Sequence, residues 1–158
     1  MRRPQLPKLK SSPDIDTASR LRIAIGRLSR RLRPTAAGQA AGLTPTRTSV
    51  LLYVVRSGPL RLSDLAAAEG INPTMLSRVI AELVDAGLLE RSSDEGDRRA
   101  AWVTATGAGR RLAERMRRER TDAVNVALSA LSDEDRRQIE GALPALESLG
   151  EELKDRRP

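Results

Sequence analysis

Thr74, Ser77 and Arg78 fall at i, i+3 and i+4 in a stretch that opens on Asn72-Pro73 and also carries Met75. At that spacing side chains share one face of an α-helix. Two hydroxyls and a guanidinium on one face donate and accept hydrogen bonds, and arginine in particular matches guanine acceptors or phosphates in a major groove about 12 Å wide. A second group follows about twenty residues on, where Asp97, Arg98 and Arg99 close the turn sequence Asp94-Glu95-Gly96-Asp97-Arg98-Arg99. Guanidinium groups at the tip of a turn suit a minor groove, whose negative potential is strongest where A·T tracts narrow it. Taken singly, each set has a bland reading: a solvated helix face, and a loop in which Asp97 merely favours the turn. Their succession at this distance favours recognition of a nucleic acid.

The 158 residues include no cysteine and no histidine. Disulfides, thiolate zinc sites and thiol redox sensing are excluded, as are His/Cys nucleophile pairs and most transition-metal sites. An enzyme built on carboxylates, Lys or Ser would need converging groups, and the acids are scattered. The expectation is a non-enzyme with no metal and no cofactor. No apolar run approaches the roughly 18 residues of a membrane span. The N-terminal MRRPQLPKLK has no apolar core of a signal peptide, so a cytoplasmic protein is expected.

The net charge is +7, with 28 Lys and Arg against 21 acids. It is uneven: residues 1–33 carry ten cations against two acids, and 108–120 carry six against two. Residues 34–107 are near neutral and 121–158 are acidic. An anionic partner is plausible, although arginine-rich surfaces also serve solubility alone.

The elements that must position these groups are legible from periodicity and caps. Residues 1–13, with three prolines, four cations and no acid, read as a disordered basic arm. From residue 14 a helix runs to Pro34 with Ala18, Leu21, Ile25, Leu28 and Leu32 at 3-4-3-4 spacing, a narrow seam suited to packing against another helix. Residues 38–42 read as a small-residue loop. Thr44-Pro45 starts a helix, apolar nearly all round, that ends at Gly58-Pro59. Leu60-Arg61-Leu62 reads as a minimal strand, and Ser63 as the cap of a short helix over 64–69 stopped by Gly70. After Asn72-Pro73 comes a helix over 73–86, its inner face formed by Leu76, Val79, Ile80 and Leu83. Residues 88–91 and 101–104 flank the charged turn as a β-hairpin. A long helix begins near Thr106 and runs to about Leu131. Ser132 opens a last helix carrying Ile139, Leu143, Leu146 and Leu153, which Pro144 is expected to kink or break.

A short helix, a Gly-containing turn and a second helix form a helix-turn-helix pattern, here followed by a hairpin. On these residues the chain resembles the MarR (multiple antibiotic resistance regulator) family. The resemblance lies in GPLRLSDLAAAEGINPTMLSRV at 58–79, in Leu83 and Gly87 to Arg91, and in Asp97 to Ala100 with Val103, Thr106, Gly109 and Leu112. Gly42-Leu43-Thr44-Pro45 fits it too, and it covers about residues 18–155. It implies a mostly helical fold with a small β-hairpin wing: a winged helix-turn-helix with a helical dimerisation region, in the order helix, helix, strand, helix, helix, strand, strand, helix, helix. It also implies a homodimer on a palindromic double-stranded DNA operator. That would be a transcriptional regulator, most often a repressor released by a small anionic or phenolic ligand.

The implied division is an arm at 1–13, a dimerisation region at 14–43 and 106–158, and a DNA-binding region at 44–105. The implied DNA contacts are Asn72, Thr74, Met75, Ser77 and Arg78 on the recognition helix and Asp97, Arg98 and Arg99 on the wing. Leu21, Ile25, Leu28, Leu131, Leu143 and Leu146 are the expected dimer contacts; the heptad seam supports a dimer independently, because a chain with no Phe, one Trp and one Tyr has little bulk for a self-contained core. Tyr53 and Trp102 read as core rather than ligand-pocket residues. Ala105 stands where the family often has leucine, which predicts a looser base of the wing. The other class kept open is a winged helix that binds protein rather than DNA, favoured by the near-neutral charge of 34–107.

Overall fold

A computed structural model describes residues 15–93 and 101–154. Among them the order is α1 (Ile15–Leu32), α2 (Ala36–Ala40), α3 (Pro45–Ser57), β1 (Leu60–Arg61), α4 (Leu62–Glu69), α5 (Pro73–Asp85), β2 (Leu89–Ser93), β3 (Ala101–Ala105), α6 (Gly107–Ser129) and α7 (Asp133–Lys154). The strands form one antiparallel sheet in the order β1-β3-β2, with Leu60 opposite Val103 and Leu89 opposite Ala105.

The core is aliphatic. Val50, Leu51 and Val54 of α3 and Leu65 of α4 meet the inner face of α5 and are closed off by Leu89 and Val103 from the sheet and Leu112 and Met116 from α6. Because these side chains lie on α3, α4, α5, both long strands and the first half of α6, the helix-turn-helix and the sheet share one core. Neither α1 nor α7 packs along it.

Local chemistry sets the ends of the elements. The Thr44 hydroxyl accepts from the Arg47 N–H (3.3 Å), and Asn72 Oδ1 accepts from the Thr74 N–H (2.9 Å), so both proline-headed helices start as expected. Gly70, at φ +64, turns the chain out of α4 in the left-handed region that favours glycine. There the Ile71 N–H donates back to the Ala66 carbonyl at 3.1 Å. The Thr106 hydroxyl accepts from the Gly109 N–H (3.0 Å) and donates to the Gly87 carbonyl (2.7 Å), pinning the start of α6 to the end of α5.

Several expectations are corrected, among them the strand at 60–62, from which Leu62 passes to α4. The small-residue loop at 38–42 instead contains α2, at Ala36–Ala40, which sequence periodicity missed because AAGQA has no apolar face. It is held by a local cap, in which the Thr35 hydroxyl accepts from the Gly38 N–H, and by a tertiary contact, in which the Glu119 carboxylate accepts from the Ala37 N–H at 3.1 and 3.2 Å. The cap of α4 is Arg61, not Ser63, whose hydroxyl turns to the Asp64 carboxylate. Pro144 does not break the last helix: α7 runs unbroken through it, on an exposed stretch where water can satisfy the carbonyl left without its N–H partner. Ala105, at the base of the wing, is buried opposite the buried Leu89. The arm at 1–13 lies outside the described residues.

Gly109 is the tightest point of this framework. A Cβ there would lie 2.1 Å from the Leu88 carbonyl oxygen, a backbone atom with nowhere to go. Gly109→Ala is expected to destabilise the fold by about 3 kcal/mol, the upper part of the overpacking range, read as a lower urea midpoint. A midpoint equal to wild type would show that α6 does not dock this closely on Leu88.

Candidate nucleic-acid interface

The helix α5 has two unlike faces. Leu76, Ile80 and Leu83 are 1% exposed and Val79 is buried beside them, while Thr74, Met75, Ser77 and Arg78 all face out. Full burial of a large aliphatic side chain is worth about 1.5–3 kcal/mol, so four of them fix the rotation of α5 about its axis. The outward residues cannot turn in without turning leucines out. Asn72 belongs to this face but spends its side-chain oxygen on the cap, leaving its amide NH2 to donate.

The electrostatics of the face involve two residues that sequence reasoning missed. Glu82, one turn beyond Arg78, accepts from Arg47 Nε at 2.7 Å and lies 2.6 Å from Arg47 Nη2. It lies 3.4 Å from Arg78 Nε. The side chains of Arg47 and Glu82 are 30% and 31% exposed, that of Arg78 83%. An arginine placed four residues before a glutamate is the less favourable order on a helix, and an exposed pair contributes only about 0.3–0.5 kcal/mol. Arg78 is therefore lightly held. A groove of about 560 Å³ runs between the start of α3 (Thr44, Thr46, Arg47) and the face of α5 (Thr74, Met75, Arg78). No local signal in the sequence links Arg47 to Glu82, which are 35 residues apart.

On the sheet, the outward Arg61 of β1 lies across from Trp102 of β3, with its guanidinium carbon 5.4 Å from the ring centroid. Tyr53 packs against the core with Arg56 over its ring, as expected; Trp102 is half-buried on the other face of the sheet. Asp97, Arg98 and Arg99 lie outside the described residues, in the segment that joins β2 to β3.

The arginine-rich stretch of α6 is less cationic outward than its count suggests. Arg117 and Arg118 both donate to Glu114, and these bonds hold its carboxyl down at about 2, Arg117 first. Arg120 donates to the carbonyls of Leu32 and Arg33, tying α6 to the end of α1. Beside that tie lies a cavity of about 590 Å³ lined by Ser29 and Arg33 from the α1 end, Ser49 and Leu52 of α3, Glu69 and Arg120. It lies at the junction of the helix-turn-helix with α1 and α6.

The apolar residues expected at a dimer contact are uncovered within one subunit. Ile25, Leu28, Leu131, Leu143 and Leu146 are between 40% and 63% exposed, Leu21 is half-buried, and Ile23, Val126, Ile139 and Leu153 add to the exposed set. All lie on α1, at the end of α6 and its turn, or on α7.

Comparison with known proteins agrees with this architecture. The MarR family model matches residues 43–101. An HTH-type transcriptional regulator of Mycobacterium bovis is 30% identical over 139 residues, which are 88% of this chain and 96% of the relative. The HTH-type transcriptional regulator TcaR of Staphylococcus aureus is 29% identical over 67% of this chain and 70% of its own. Among solved structures, a transcriptional regulator from Thermotoga maritima superposes with a TM-score of 0.75 at 22% identity, covering 91% of this chain and all of the other. A mutant of S. aureus MepR solved bound to an oligodeoxyribonucleotide superposes with a TM-score of 0.61 at 20% identity, covering 85% of this chain and 98% of the other. At these identities the structures show the shared fold, and the Mycobacterium relative shows descent: the chain belongs to the MarR family of transcriptional regulators.

Proposed function

We propose that this chain is a homodimeric repressor that binds a palindromic double-stranded DNA operator and leaves it on binding a small ligand. The observation that carries the proposal is the two-faced α5, whose buried stripe holds Thr74, Met75, Ser77 and Arg78 outward as one polar, cationic surface. In this reading residues 44–105 are the DNA-binding region, and Arg78 meets a base edge, where a bidentate contact to guanine is worth about 1–3 kcal/mol. Asp97 pairs with Arg99 on the wing while Arg98 or Arg99 enters the flanking minor groove. The regulator does this by binding alone; it is not an enzyme. The oligodeoxyribonucleotide bound to the MepR mutant lends support by fold only. No helix among the described residues is long and apolar enough to cross a membrane.

Operator binding by Arg78→Ala, with the fold kept by circular dichroism, is expected to weaken by about 1–3 kcal/mol, or 5- to 150-fold. Unchanged affinity would remove Arg78 from the interface. Failure of the wild-type protein to select any sequence from random duplex DNA would instead favour a winged helix that binds protein.

The dimer reading, with residues 14–43 and 106–158 as the dimerisation region, is supported by the exposed apolar residues of α1, of the end of α6 with its turn, and of α7. So many exposed large aliphatic side chains on three helices are more than a monomer commonly leaves uncovered. Light scattering at micromolar concentration is expected to give the mass of two chains, and Leu28→Asp with Leu143→Asp the mass of one. A wild-type monomer would contradict it. Two-fold symmetry would place recognition helices about 34 Å apart, so half-sites should be about 10 bp apart.

The cavity at the junction of α1, α3 and α6 suits a small anionic ligand, because Arg33 and Arg120 line it against the single carboxylate of Glu69. A ligand there would compete for the Arg120 guanidinium that ties α6 to α1. Millimolar hydroxybenzoate is expected to release the wild-type protein from its operator and to act far less on Arg33→Ala. Equal release of both proteins would exclude this cavity as the site.

A further inference from the structure

We propose that Arg47 is a positioning residue for sequence reading: by competing for Glu82, it loosens the hold of Arg78's own helix on that arginine. The inference rests on the reading above, in which Arg78 contacts a base.

Of the two acids of α5, Glu82 is the one paired with Arg78, Asp85 lying a further turn along the helix, and Glu82 has two arginine neighbours of unequal standing. Arg47 holds it with both Nε and Nη2, at 2.7 and 2.6 Å, while Arg78 pairs with it more loosely, at 3.4 Å. Arg47 is itself fixed, since its Nη1 donates to the Gly42 carbonyl at 3.3 Å and its side chain is mostly covered. The closer counter-charge for Glu82 therefore comes from α3, outside the recognition helix. Both arginines border the groove between the two helices.

Without Arg47, the carboxylate would have Arg78 as its remaining cationic neighbour among these three. The guanidinium would then fold down along α5 and lose its reach to a base. In the fraction of molecules where Arg78 does not fold down, the uncompensated carboxylate would meet the phosphates with like charge, which disfavours every duplex equally. The first effect is specific to the base pair that Arg78 reads; the second is not. That difference separates positioning from a general electrostatic or structural role.

The test uses the full-length protein and an operator selected from random duplex DNA, with each base pair then replaced in turn. Arg78→Ala is expected to lose discrimination at one symmetric base pair, by about 5- to 150-fold. Arg47→Ala is expected to lose discrimination at that same pair by at least about fivefold, within the lower part of that range, and to keep it elsewhere. The double variant R47A/E82Q, with no carboxylate left to capture Arg78, is expected to regain most of it. Arg47→Gln, which keeps the stem and a polar tip, serves in place of R47A should that variant not fold. A loss spread evenly over all operator positions, or wild-type discrimination at the Arg78 pair, or no recovery in the double variant, would overturn the inference. If Arg78→Ala itself changes no base-pair preference, the base-reading role falls, and the positioning role falls with it.

Discussion

The burial of one stripe of α5 is the constraint on which the rest depends. Leu76, Val79, Ile80 and Leu83 meet α3, α4, the sheet and α6 in a single core, so the helix has one allowed rotation. Everything chemical about the interface follows from that rotation: which hydroxyls point out, where Arg78 stands and why Glu82 falls within reach of α3. The docking of α6 on Leu88 through Gly109 and Thr106 carries the same constraint to the long helix. A change in the recognition face can therefore travel to α1 and α7 only through packed or hydrogen-bonded atoms.

The second consequence is an unbalanced subunit. The aliphatic core closes around the helix-turn-helix and sheet, and leaves α1, the end of α6 and α7 with their apolar residues uncovered. A chain with no Phe and single Trp and Tyr residues cannot cover them with bulk of its own. In the proposed dimer that deficit becomes the assembly force, and the distance between recognition helices is set by how those helices pair. The Arg120 tie to the α1 end and the Glu119 cap on α2 sit where the two regions join, beside the cavity.

Much of this was legible in the residues. The cap-then-proline starts at Thr44 and Asn72, the buried stripe of α5 and the Thr106 start of α6 follow from local rules, and each element lies where those rules put it, to within a few residues. The outward set Thr74, Met75, Ser77 and Arg78 came with the stripe. What local rules could not supply was long-range. The helix α2 has a local cap in Thr35, but is also held by Glu119, some eighty residues away, and by Met116 beside Gly38. Leu62 joins α4 rather than the strand, so β1 keeps only the two residues that pair with β3. The Arg47–Glu82 pair joins two helices whose sequences hold no shared pattern. Pro144 does not end α7, which runs on through it to Lys154.

The central claim is that two symmetric α5 helices read the major groove. Methylation interference on the selected operator tests it most directly, because a methyl group at guanine N7 blocks that groove and no other. The account predicts interference at guanines in two symmetric half-sites about 10 bp apart, on one face of the duplex. Binding indifferent to N7 methylation, or interference confined to a single half-site, would contradict it.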